Sequence, residues 1–264
     1  MSEVEFPIGR VIDGWIEVVE HVRGRPERGQ YIAALRDGER VLVTMSTRQT
    51  EELGEVFQRL EMTADGVATL RDVLPLEHPL GGEYACLVEE LPAGRPSTEL
   101  RWPLELRTAA RLGLGICDAL SDAHDYGWVL GGMRPELVFV DGDQPAFTEV
   151  APRAEIFFQT SSPSSVGAPH PFDHLYMAPE LLALGKPGVD ADVFSLCAML
   201  AAWTDAPPFE GDSAAAQLFA ITAGKRRTYR GPDQLRALID AGLAAVVAAR
   251  PGLGDLRAGL QRLA

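Results

Sequence analysis

The chain has 264 residues, 46% hydrophobic and 23% charged, with 38 acidic side chains against 24 basic ones and a net charge of −14. This composition suits one large domain or two packed lobes around a sizeable core and excludes global disorder. So acidic a chain lacks the basic face that nucleic acid or an anionic membrane surface requires, and no such partner is expected.

No apolar run approaches the roughly 18 residues of a membrane span. The opening MSEVEFPIGRVIDG has no signal-peptide h-region, so a cytoplasmic location is expected. Cys86, Cys117 and Cys197 lie far apart in apolar segments. Without CxxC spacing they read as small buried hydrophobes, not zinc ligands or a disulfide framework.

In chain order, WIEVVEHV (15–22), QYIAAL (30–35) and ERVLVTM (39–45) are β-branched or apolar runs separated by turn signals, including the Asp37-Gly38 dipeptide. TEELGEVFQRLEM (50–62) places Leu53, Val56, Phe57 and Leu60 at helical spacing. VATLRDVL (67–74) and EYACLVEE (83–90) are two further strand candidates. From about residue 104 the pattern turns helical. Leu112, Ile116, Ala119, Leu120 and Ala123 form one stripe that Gly127 ends. ADVFSLCAMLAAW (191–203) is apolar all round and predicts a buried helix. AAAQLFAIT and DQLRALIDAGLAAVVAA add more helix, while QTSSPSSVGAPHPFDHLY (159–176) is a long aperiodic loop of the kind that is usually functional.

Strand-rich, then helical, with a short LPAG connector, the order resembles the protein kinase fold, specifically bacterial Ser/Thr (Hanks-type) kinases. AHDYGWVLGGMRPELVFVD is similar to the helix end and catalytic loop of that family, YMAPELL to the segment closing its activation loop, and DVFSLCAMLAAWTDAPPF to the helix that follows. AARPGLGDLRAGLQRL carries the R-P of its last helical region. The resemblance implies an α+β, bilobal protein kinase-like fold. Residues 1–92 would form a β-rich N-lobe of five strands and one main helix, and 93–264 a helical C-lobe with degenerate catalytic and activation loops.

The positions of chemistry are changed. The family's catalytic aspartate falls on Gly132, its second metal ligand on Leu137, its strand lysine on Thr44, and its D-F-G on Glu149-Val150-Ala151. Its glycine-rich loop becomes RGRPERGQY (23–31). Pro92 stands where a backbone N–H meets adenine, and proline has none to give. Glu89 falls at the back of the adenine pocket. Either Glu52 or Glu55 would be the glutamate of the N-lobe helix.

Phosphoryl transfer is catalysed mainly by positioning and electrostatics, and a positioned base alone contributes roughly 10²- to 10⁴-fold. Loss of base, lysine and metal ligand together implies a pseudokinase with no enzymatic activity, no metal and no cofactor. Shape residues persist: Glu180 and Arg250 resemble the family's buried ion pair, Asp192 the aspartate bracing the catalytic loop, and Pro135 a fixed point within it.

The expected role is therefore a regulatory scaffold binding another protein, an active kinase or its substrate. The alternatives are a small-molecule or nucleotide sensor using the interlobe cleft, and an atypical transferase recruiting Glu149, Glu136 or Arg134. His170, Asp173 and His174 read as loop composition, not a metal site. Thr160, Ser161, Ser162, Ser164 and Ser165 are candidate phosphoacceptors. Lys225, Arg226 and Arg227, in KRRTYR, are the candidate docking residues for an acidic partner.

Overall fold

The computed structural model describes residues 8–23, 30–45, 64–77, 83–148, 175–183 and 188–264. The expected helix at 50–62 with Glu52 and Glu55, the 24–29 part of the degenerate glycine-rich loop, and Glu149 with most of the 159–176 loop lie outside these residues. The chain divides into two compact units, residues 1–92 and 93–264.

In the first unit, strands β1 (Val11–Ile12), β2 (Ile16–Arg23), β3 (Gln30–Leu35), β4 (Arg40–Met45), β5 (Leu70–Glu77) and β6 (Glu83–Glu90) form one sheet in the order β1-β2-β3-β4-β6-β5. Every pairing is antiparallel. Five of these strands lie where the sequence places them, although β5 runs later than the expected 67–74. The sixth, β1, was not anticipated. It folds back on β2 through Asp13 and Gly14, both at positive φ (47° and 72°), the geometry that an Asp-Gly pair adopts readily.

Side chains alternate across a sheet, so Val41 and Val43 share one face with Tyr31, Ala33, Cys86 and Val88 in the core. Leu42 and Thr44 belong to the other face, with Gln30 and Glu89, and these are buried too. A strand buried on both faces reads as a continuous apolar run, which is why RVLVT stands out in the sequence.

The second unit contains α1 (Leu106–Asp125), α2 (Pro179–Leu182), α3 (Val189–Thr204), α4 (Ala214–Thr222), α5 (Asp233–Gly242) and α6 (Leu253–Gln261). A small sheet of β7 (Arg95–Pro96), β8 (Val138–Asp141) and β9 (Gln144–Phe147) accompanies them. The α1 stripe is buried as its spacing predicts. Gly127, at φ 78°, ends that helix by donating to the His124 carbonyl. Helix α3 is the centre of the unit: every residue from Ala191 to Thr204 is buried, and α1, α5 and α6 all pack on it.

The helix expected across DQLRALIDAGLAAVVAA stops at Gly242. Gly242 lies against the Cys197 sulfur on α3, and beyond it the Ala244 carbonyl accepts from the Arg250 side chain instead of from a helical amide.

All three cysteines are buried free thiols. Burial, with Asp72 second, pushes the Cys86 thiol from 9.0 up to about 12, and burial, with Asp118 second, does the same for Cys117. A folded-state pKa raised this way contributes stability that is fully present below pH 9 and is lost as pH rises towards 12. Denaturant midpoints should therefore fall over that window, and thiol reagents at pH 8 should react only on unfolding. Truncating Leu196, fully buried on α3, to alanine should lower stability by about 2–5 kcal/mol in a urea titration.

Candidate functional site

The stretch from Val129 to Leu137 is a loop closing in a 3₁₀ turn, Pro135–Leu137, which leads into β8. Its anchor is Asp192, a carboxylate with no exposed surface near the start of α3. One oxygen, Oδ1, accepts the Gly131 N–H at 2.7 Å. The other, Oδ2, accepts the Leu130 N–H at 3.0 Å and lies 2.8 Å from His124 Nε2. A carboxylate can only accept, so Nε2 carries the proton in that contact. Gly131 sits at φ 64°, a left-handed conformation that glycine adopts at no steric cost. Ser97 fastens the loop's far end by donating to the Pro135 carbonyl at 2.7 Å.

Within this frame the chemistry-bearing positions are apolar. Gly132 is buried, and a Cβ there would stand 3.5 Å from the Met177 methyl. Leu137 is 4% exposed and its carbonyl accepts from both the amide and the hydroxyl of Thr148. Arg134 and Glu136 are the loop's remaining charged side chains, 3.7 Å apart. Burial, and after it the Glu136 carboxylate, pushes the Tyr176 hydroxyl well above the usual tyrosine range. In the first unit Thr44 is buried and accepts a 3.2 Å hydrogen bond from Gln30 Nε2. A neutral hydroxyl occupies the position at which the resemblance calls for lysine.

A second anchor ties the segment after Tyr176 to the helices. Arg250 and Glu180 meet fork to fork, Nη1–Oε1 at 2.6 Å and Nη2–Oε2 at 2.7 Å. The guanidinium also donates to the carbonyls of Ala244 and Asp190 and lies over the Phe194 ring. Its side chain is fully buried while that of Glu180 keeps 22% exposure. Ser195 adds a 2.7 Å bond to the Tyr176 carbonyl.

Sequence reasoning named Asp192, Glu180, Arg250 and Pro135, and the structure brings them together in one framework. It passed over His124, Ser97, Ser195 and Met177. The first and third were signalled by their places in A-H-D-Y-G and D-V-F-S. Ser97 and Met177 carry no local signal, because their partners are distant in the chain. Among the docking candidates, Arg226 is paired with Asp240 at 3.1 Å and Arg227 with Glu210 at 3.2 Å, while Lys225 is exposed and has no ion pair among the described residues. KRRTYR is thus not the bare basic patch its composition suggests: two of its arginines are already matched by carboxylates. Among the described residues no cluster of potential metal ligands occurs, and no helix is long and apolar enough to cross a membrane.

No family model matches the chain. The serine/threonine-protein kinase AfsK of Streptomyces coelicolor is 30% identical to it over 162 residues, which are 60% of this chain and 20% of that protein. The chain therefore spans about a fifth of that relative's length. Among solved structures, Rad53 residues 1–466 in complex with AMP-PNP superpose with a TM-score of 0.70 at 16% identity, covering 92% of this chain and 64% of that one. The chain has a protein kinase-like α+β fold.

Replacing either Glu180 or Arg250 by alanine strands the other charge, and each change should destabilise the protein by roughly 3–5 kcal/mol. The double variant should lose less than the sum of the singles in a denaturant cycle. Additive, near-neutral effects would show that the pair does not hold the fold.

Proposed function

We propose that this domain is a catalytically inactive kinase-like module that works by binding another protein, an active kinase or its substrate. The observation that carries this reading is the contrast inside one loop. The Asp192 bracket around Leu130 and Gly131 is complete, whereas the next residue, Gly132, has no side chain and faces a methionine methyl. A base, a lysine and a metal ligand act together on the transferring phosphoryl group, and Gly132, Thr44 and Leu137 supply none of these. Mg²⁺ needs oxygen ligands, and Leu137 offers no side-chain oxygen. What remains is a braced helical unit suited to presenting a surface.

Incubation with labelled ATP, generic protein substrates and Mg²⁺ or Mn²⁺ should give background incorporation. Gly132→Asp should not raise it, because Thr44 and Leu137 still stand at the lysine and metal-ligand positions, and a carboxylate at this buried position costs stability. That variant should also unfold at lower denaturant than the wild type. Incorporation above background that vanishes in Glu149→Ala would overturn the reading and make the domain an atypical transferase.

A further inference from the structure

Residues 225–230, KRRTYR, contain no helix or turn, and their burial alternates with the two-residue period of an extended chain. Arg227 is half-buried and Tyr229 buried, while Arg226, Thr228 and Arg230 are exposed. The inward residues pin the segment. The Arg227 amide donates to the Pro208 carbonyl, the Tyr229 hydroxyl meets Thr204 Oγ1 at 2.8 Å, and Arg236 donates to the Tyr229 carbonyl at 2.8 Å. Thr228 makes no hydrogen bond among the described residues, through either its backbone or its hydroxyl.

The other exposed serines and threonines among the described residues are held at or within helices. Ser213 caps α4 by accepting from the Ala216 amide, and Thr222 donates back to the Leu218 carbonyl. Thr98 lies in a 3₁₀ turn and Ser121 within α1. Thr228 alone among them is exposed on a segment of extended periodicity. Its surroundings are cationic, with Lys225, Arg226, Arg227 and Arg230 beside it on a chain of −14. Among the described residues neither Lys225 nor the Arg230 side chain has an ion pair. Arg226 and Arg227 are paired with Asp240 and Glu210, but these carboxylates are themselves 55% and 69% exposed. Ion pairs so open to water contribute little and exchange readily with another acceptor.

We propose that Thr228 is a phosphorylation site, the acceptor for an active serine/threonine kinase whose peptide groove is acidic. In that step Thr228 Oγ1 bonds to the γ-phosphorus of ATP as the bond to the β,γ-bridging oxygen breaks. ADP leaves, and the hydroxyl proton passes to the active kinase's base. A segment already pinned on its inner side enters such a groove with little further loss of freedom. The flanking cations draw the groove's carboxylates to this segment, and the acidic remainder of the chain repels them. The product is a phosphate of about −1.5 to −2 charge between Arg226 and Arg230, which stand two residues away on the same face and supply charge-assisted donors. Phosphorylation thereby offsets up to half of the segment's positive charge. The site does not depend on the inactive-module reading, since Thr228 takes no part in the 129–137 loop.

The test incubates the full chain with Mg²⁺-ATP and either of two purified kinase domains, one selecting arginine-flanked and one carboxylate-flanked serine and threonine. Mass spectrometry of the chain and its fragments should find phosphate at Thr228 with the arginine-selecting kinase only. Arg230→Gln should slow that incorporation by about tenfold, and Thr228→Val should abolish it. Both variants should keep the wild-type melting temperature, because both side chains are exposed. No phosphate at Thr228, or equal modification by the two kinases, would overturn the proposal. Incorporation indifferent to Arg230→Gln would likewise overturn recognition through the flanking charges. Phosphate at Thr228 in the chain incubated without either kinase would support the acceptor while overturning the inactive-module reading, so the two fail separately.

Discussion

The buried carboxylate of Asp192 is the constraint on which the 129–137 loop of the second unit depends. Ordinarily a charge without solvent is costly, and here the cost is offset by two backbone amides and an imidazole converging on its two oxygens. Because Asp192 grows from α3, buried from Ala191 to Thr204, the Leu130–Gly131 turn is tied to the core. Nothing in this arrangement uses the side chains at 132 or 137. Loop shape and loop chemistry are physically separable, and the proposed inactive module would keep the first without the second.

The same end of α3 organises the neighbouring segment. Arg250 reaches the Asp190 carbonyl, two residues before Asp192, while gripping Glu180 and the Ala244 carbonyl. Helix α2, the start of α3 and the turn after α5 thus converge on one guanidinium, whose planar fork suits bidentate pairing as a lysine could not. Helix α5 ends at Gly242, and the Ala244 carbonyl just beyond it accepts from Arg250.

Most of the architecture was legible because it is carried by periodicity. Five strands of the first sheet are runs of β-branched and apolar residues between turns, and α3 announces itself as apolar on every side. Strand β1 escaped notice because two residues make no pattern, although the Asp13-Gly14 turn before Trp15 was an available signal. The small sheet β7-β8-β9 was hidden for the same reason, with strands of two and four residues. At the site, the bracing residues could be read because they occur in recognisable local frames. The placement of the Met177 methyl beside Gly132, and the pairing of Arg226 and Arg227 with Asp240 and Glu210, could not. Those contacts join residues far apart in sequence, and composition reports charge without reporting who is paired with whom.

Asp192 holds the Leu130–Gly131 turn through contacts of the fold alone, with no nucleotide among them. Amide hydrogen exchange at Leu130 and Gly131, followed with and without Mg²⁺-ATP, tests it most directly. Strong protection of both amides that is unchanged by nucleotide and lost in Asp192→Ala is the predicted result. Rapid exchange that becomes slow only when Mg²⁺-ATP is added would contradict it, by showing a loop that nucleotide organises for chemistry.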